Sequence, residues 1–309
     1  MKRILFCLLL LTGYFAQAQV YNNEWIDHTK TYHKFKVGKT GVHRIPQSVL
    51  ANAGLSGTPA EYFQLWRNGV QVPIFTSQPT GILSSSDYIE FWGEMNDGKP
   101  DKELYRLPDF QLNDKWSLST DTSVYFLTVH AVVSGNLRLA NTSNNIGSNT
   151  LPAESYFMHK AGMYYRNRLN RGRAEFVGEL LYSSSYDRGE GWSSNNVGPN
   201  ATNSFTLNNL FLFSGGPSAK VRLAVSGNSM HARKYKAMID GDSVLGNFVN
   251  YFNYSHDSTN IQNLLLNKSS VSFSVQNISG IGNMVIHQFE ITYPRQFNFG
   301  NANNFEFTL

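Results

Sequence analysis

The sequence predicts a mostly β protein: two antiparallel β domains, the second a jelly-roll-like β-sandwich, with one or two short helices. Three observations carry this. Aromatic residues reach 14%, with 21 Phe, 16 Tyr and 5 Trp, a composition suited to strands packed face to face. Charged residues are 16%, below the globular average of about 25%, and turn-forming Asn, Ser, Thr and Gly take their place. Short alternating runs recur along the chain with turn chemistry between them, and no βαβ alternation is visible.

The first eighteen residues read as a signal peptide. Lys2 and Arg3 form a basic start, Ile4–Leu11 an apolar run, and Ala16-Gln17-Ala18 the small-residue site for cleavage between Ala18 and Gln19. That run is far short of the roughly 20 residues a spanning helix needs, and no later segment is long or apolar enough either. The expected location is therefore beyond the inner membrane: periplasm, outer-membrane surface or medium. Without Lys2 and Arg3 the balance is 24 basic to 22 acidic side chains, so nucleic acid is not an expected partner. Cys7, the one cysteine of the 309 residues, leaves with the signal. Residues 19–309 then hold no disulfide, no thiolate–zinc site and no cysteine nucleophile.

In the first domain, residues 19–145, Thr31–Val37 and Val42–Ile45 read as strands joined through Gly38–Gly41. Pro46–Asn52 reads as a short helix, with Pro in its first turn and Gly54 beyond its end. Tyr62–Arg67 and Val70–Phe75 form a hairpin around Asn68-Gly69, a pair that accepts the positive φ angles of a type I′ turn. Asp87–Trp92 and Val124–Val129 are two further strands. Ser134–Thr150, rich in Asn, Ser, Thr and Gly, reads as the linker.

In the second domain, residues 146–309, strands are expected at Phe176–Leu181, Phe205–Phe213, Lys220–Ser226, Lys234–Ile239, Ser243–Val249, Val271–Gln276 and Met284–Tyr293. That spacing is the spacing of a sandwich. Asn304–Leu309 alternates like one more strand, and either closes the sandwich or runs on into a longer polypeptide.

Catalytic chemistry is not visible. There is no Gly-x-Ser-x-Gly elbow, and the eight histidines show no metal-binding spacing. His33 and His287 sit inside alternating strands, where a hydrogen-bonded structural role is expected. No catalytic residue is assigned. The loop Glu94–Asp101 offers Asn96, Asp97 and Asp101 as oxygen ligands for a hard cation such as Ca²⁺, although Asn-Asp-Gly also forms a solvated turn without metal. Trp192, closing a polar loop, is a candidate for stacking on a sugar or peptide, although Trp also plugs sandwich edges. Tyr164 and Arg166, in the one basic cluster, are candidate binding residues on a solvated surface or a pairing site for carboxylates of a neighbouring domain.

Several segments resemble the N-terminal region of secreted gingipain-like cysteine peptidases, especially those similar to the type IX secretion sortase. They are Gly41–Ile45, Leu65–Pro73, Asp87–Gly93 with Asn96-Asp97-Gly98, Leu104-Tyr105, Trp116–Asp121, Tyr125–Leu127, Gly189–Trp192 and Ile291–Arg295, in the family's order. The resemblance implies a β-rich, non-catalytic accessory or pro-region that precedes a Cys–His peptidase domain. It also implies a parent that cleaves or transpeptidates secreted proteins, with that domain, those substrates and type IX secretion components as partners. No catalytic position of the family maps onto this chain, and the expectation is that the polypeptide continues past Leu309. The alternative is a free-standing secreted β-sandwich that binds carbohydrate or peptide.

Overall fold

The computed structural model describes residues 23–140, 143, 147, 150, 152–302, 305 and 307. The signal segment with its Ala18–Gln19 junction, and most of the alternation at 304–309, lie outside them. Packing divides the chain into two units, one formed by residues up to Glu94 with Thr122–Ser143, the other by Met95–Asp121 with Asn144–Leu309.

The first unit holds β1 (His33–Val37), β2 (Gly41–Pro46), α1 (Gln47–Asn52), β3 (Phe63–Arg67), β4 (Val70–Val72), β5 (Ile74–Thr76), β6 (Tyr88–Gly93) and β7 (Ser123–Val129). Its sheets run β1-β7-β3-β4 and β2-β6-β5. Phe63, Leu65, Ile74, Ile89, Phe91, Tyr125 and Leu127 bury their side chains in one cluster with Leu50 of α1. Gly38–Gly41 does not make a hairpin: β1 pairs with β7 and β2 with β6, so this turn carries the chain from one sheet to the other. α1 ends in a Schellman motif. Gly54, at φ 78°, and Leu55 donate to the carbonyls of Ala51 and Leu50. Leu137–Leu139, at the start of the sequence-defined linker, bonds to Ile74, and Arg138 donates to the carbonyls of Phe63 and Ala60.

Asn68 (φ 48°) and Gly69 (φ 77°) form the tight turn between β3 and β4, with Arg67 opposite Val70 and Leu65 opposite Val72. A Cβ is strained at that second angle. Gly69→Ala should therefore lower stability by about 1–2 kcal/mol in urea denaturation, whereas Asn68→Gly should change it little.

The second unit holds β8 (Phe157–Tyr164), β9 (Arg168–Arg171), β10 (Ala174–Phe176), β11 (Leu180–Tyr182), β12 (Glu190–Ser193), β13 (Thr202–Asn208), β14 (Ala219–Gly227), β15 (Arg233–Ile239), β16 (Asp242–Val249), β17 (Tyr254–Ile261), β18 (Ser270–Asn277) and β19 (Met284–Arg295). Eight of these form two four-stranded sheets, β13-β18-β15-β16 and β17-β14-β19-β8. Counting β8 and β13–β19 in chain order, the sheets read 2-7-4-5 and 6-3-8-1, the strand order of a jelly roll. All neighbouring pairs are antiparallel. Val221, Leu223 and Val225 from β14 meet Val271, Phe273 and Val275 from β18 in the interior, with Phe205, Phe273 and Phe289 in mutual ring contact.

Several expectations change here. Phe176–Leu181 is not one strand: Gly178 (φ 96°) folds it into the β10–β11 hairpin. Phe205–Phe213 stops at Asn208, because Asn209 and Phe211 take φ of 52° and 49°. β8, β9, β12 and β17 have no counterpart in the sequence reading. Met95–Asp121 packs with the second unit rather than in a first domain ending at 145. The Trp116 indole donates to the Tyr164 carbonyl, and the Asn113 amide donates to the carbonyls of Tyr165 and His287. Among the described residues no helix is long and apolar enough to cross a membrane.

Candidate functional site

The sheet β17-β14-β19-β8 has an inner face in the sandwich core and an outer face that alternation fills with different residues. Outward along β14 come Arg222, Ala224 and Ser226, beside Gln288 and Glu290 of β19 and His256 of β17. Part of this face is sealed by the segments 95–121 and 165–195, and part lies open as a cleft of about 900 Å³. Arg222, Gln288 and His256 line it from the sheet, Asp109, Phe110 and Asp114 from one loop, and Arg188, Asn253 and Tyr254 from others.

On the sheet, Arg222 donates to Nε2 of His256 at 3.1 Å. Burial, and then the Arg222 charge, hold that imidazole below its ordinary pKa, so it stays a neutral acceptor. Arg222 also lies 3.7 Å from Oε1 of Glu290, whose other oxygen accepts the Tyr164 hydroxyl. Burial and the neighbouring Glu290 push the Tyr164 pKa above the ordinary tyrosine range. Gln288, 4% exposed, reaches the cleft from the central strand β19. Phe110 and Tyr254 meet edge to face at 5.8 Å on the flank.

The sealed part contains a Ser–His pair. β19 bulges opposite Ala224 and Val225, and His287 is the extra residue. Its Nε2 lies 2.9 Å from the Ser226 hydroxyl, and its Nδ1 lies 2.9 Å from the Trp192 carbonyl. The carbonyl can only accept, so Nδ1 carries the proton and Ser226 donates to Nε2. Burial lowers the His287 pKa to about 4. Both side chains are 0% exposed, and the third partner is a backbone carbonyl rather than a carboxylate, so the pair braces the bulge and meets no substrate.

The residues singled out in the sequence fall in two places. The Arg166 guanidinium sits 5.1 Å from the Trp116 ring and 5.2 Å from the Trp192 ring, and donates to Asp121 at 2.7 Å. Each indole N–H is already bonded, that of Trp192 to the Ser117 carbonyl and that of Trp116 to Tyr164. Trp192, Arg166 and Tyr164 are thus brought together, but as a clasp on the segment 95–121. In the loop of Asn96, Asp97 and Asp101, both carboxylates are engaged by other groups. Asp97 binds the Lys99 ammonium at 2.6 Å, and Asp101 accepts from the Leu118 amide at 2.7 Å. No group of three His, Cys, Asp or Glu among the described residues could hold a metal ion. Arg222, His256 and Gln288 were missed because no local spacing joins them: three strands distant in sequence deliver one residue each.

No family model matches the sequence, and no curated protein matches it. Among solved structures, dimeric latent PorU from Porphyromonas gingivalis is similar at TM-score 0.53 and 11% identity, covering 88% of this chain and 25% of that one. A carbohydrate-binding module, CBM36 in complex with calcium and xylotriose, gives 0.27 and 12%, covering 43% of this chain and 98% of the module. A family 35 carbohydrate-binding module from Clostridium thermocellum gives 0.24 and 12%, covering 43% and 97%. Scores that low carry no inference about this chain. The likeness to PorU is one of fold, and the chain spans about a quarter of the PorU chain's length.

Proposed function

We propose that this chain is the non-catalytic N-terminal β region of a secreted gingipain-like cysteine peptidase similar to the type IX secretion sortase. The observation that carries this reading is the fold likeness to PorU, which extends over 88% of the chain rather than over the jelly roll alone. The ordered sequence segments support it independently. So does the absence of any thiol after Cys7, because thiolate attack then needs a residue from elsewhere in the parent. On this reading the region positions a downstream peptidase domain, or the secreted proteins it processes, through surface contacts. The chain is exported by its signal, and mass spectrometry of the secreted form should find Gln19 at the N-terminus.

Sequencing of the coding DNA beyond Leu309 tests the reading. A peptidase domain with a Cys–His pair is expected, and an intact stop codon directly after Leu309 would favour the free-standing binding module instead. The open cleft is the observation on the side of that second reading. In either case, purified residues 19–309 should not hydrolyse fluorogenic peptides with basic P1 residues. Turnover that survives a thiol-alkylating reagent would reveal an active site of another kind.

A further inference from the structure

We propose that the hairpin of β10 and β11 is a lipid-binding element whose tip enters the interface of a bilayer. The inference rests on that hairpin alone and holds whether or not a peptidase domain follows the chain.

The hairpin stands apart from the two sheets of the jelly roll, since β10 and β11 pair only with each other. Its base is held to the body of the unit. The Tyr182 ring meets Phe252 edge to face at 6.2 Å, and the Arg171 guanidinium lies 5.4 Å from the same ring. Beyond that base, every residue from 175 to 181 is exposed. The tip reads Phe176-Val177-Gly178-Glu179-Leu180-Leu181, and its four large apolar side chains are between 40% and 65% exposed. Single exposed apolar residues are ordinary, but four within six positions on a projecting turn mark a contact surface. A two-stranded hairpin is also marginal in water on its own.

The arrangement of those side chains selects the partner. Phe176 and Leu180 are directly opposed and share one face, whereas Leu181 lies opposite Glu175 on the other. The tip is therefore apolar on both faces. A flat protein surface covers one face and leaves the other in water, but a bilayer interface surrounds the tip and covers both. The charges at the foot agree. Arg171 and Arg173 precede β10, and Arg173 stands three residues, about 10 Å, before Phe176. Interfacial segments bury their apolar side about 5–10 Å into the boundary between headgroups and acyl chains. With the tip at that depth, the two arginines stand level with the phosphates. Glu175, the acid closest to them in the chain, is paired with Arg173.

Glu179 and the backbone set the depth. β10 and β11 each have one partner strand, so each keeps an outer edge whose amides and carbonyls need water or headgroup oxygens. Glu179, exposed in the turn, carries a charge that acyl chains do not accept. Both features hold the tip at headgroup level, so binding is shallow and reversible. A protein partner would instead pair Glu179 with a cation, and removing the charge separates the two cases.

The test is flotation of residues 19–309 with two kinds of vesicle, one of phosphatidylcholine and one of equal parts phosphatidylcholine and phosphatidylglycerol. The chain should float with both, and more tightly with the second, where Arg171 and Arg173 meet anionic headgroups. Phe176→Ser and Leu181→Ser, at exposed positions that the core does not use, should each weaken binding about tenfold. Glu179→Gln should tighten it severalfold. Residues 19–309 contain no cysteine, so Val177→Cys takes a single environment-sensitive dye, whose emission should shift to the blue on vesicles. No flotation with either vesicle, flotation that both serine variants leave intact, weaker binding by Glu179→Gln, or a dye that stays in water would each overturn the proposal. So would self-association through the same tip in place of vesicle binding, seen as sedimentation that quickens with concentration in the wild type and not in Phe176→Ser.

Discussion

Gly227→Ala should destabilise the jelly roll by about 4 kcal/mol or more, in the range where overpacking leaves no room to relax. A Cβ at this position would stand 1.8 Å from the Tyr251 carbonyl oxygen and 2.0 Å from Nη1 of Arg233. Those two atoms are hydrogen-bonded to one another at 2.8 Å. Arg233 is 1% exposed, and its Nη2 donates to the Ser229 carbonyl at 2.9 Å. Burial lowers its pKa to about 10, which still leaves it charged at neutral pH. A buried cation held by carbonyls rather than a carboxylate depends on each of those bonds, and displacing one uncovers the charge. Urea denaturation of the variant gives the number. A loss below about 1 kcal/mol, within the usual run of point mutants, would show that the loop at 251–253 swings aside.

The second large effect is a loss of stability on acidification, traced to His287. Its pKa is about 4 in the folded chain against 6.5 unfolded. Between those values the unfolded chain binds a proton that the folded chain does not, so stability rises with pH across the window. The contribution is complete above 6.5 and falls away by about 3 kcal/mol as the pH drops toward 4. The measurement is a denaturation series from neutral pH to pH 4, run on the wild type and on His287→Gln, which cannot titrate. Groups common to both cancel in the difference, which should shrink on acidification by the stated amount. A difference independent of pH would mean that the imidazole is protonated inside the fold. Nitrogen NMR of the ring should show the Nδ1–H tautomer persisting through pH 5.

The comparison of sequence with structure turns on which residues had to look like what they are. Asn68-Gly69 and Asp240-Gly241 announce their turns because few other pairs adopt positive φ at both positions, and they do adopt it. β14 and β18 alternate visibly because one face of each lies in the core. β17 was invisible: Tyr-Ser-His-Asp-Ser-Thr-Asn is polar on both faces. Its outward side borders the cleft, and its inward Asp257 bonds to Tyr235 rather than packing on carbon. β8 carries Gly162 and Lys160 within the run, which hid it in the same way. The candidate site was less legible than the fold. Trp192, Tyr164 and Arg166 stood out because aromatic and basic residues are conspicuous, yet their polar groups are already bonded within the chain. Gln288 drew no notice, since a glutamine in a strand has no chemical signature until its surroundings are known.

The place of β19 also sets a timetable. It lies between β14 and β8, yet it is the last strand of the jelly roll to be synthesised, and its register with β8 joins Arg295 to Phe157. Until it inserts, β14 and β8 each present an unpaired edge, and the hydrophobic interior lacks Ile286, Phe289 and Ile291. Pairings of such long sequence separation form slowly, because a large loop must close before any contact rewards it. A half-made chain therefore carries open edges able to join those of a second copy. Refolding should accordingly be slow, in the range of milliseconds to seconds or beyond, with a yield that falls as protein concentration rises. In the cell, a chain of this design gains from whatever holds it extended until residue 295 has emerged.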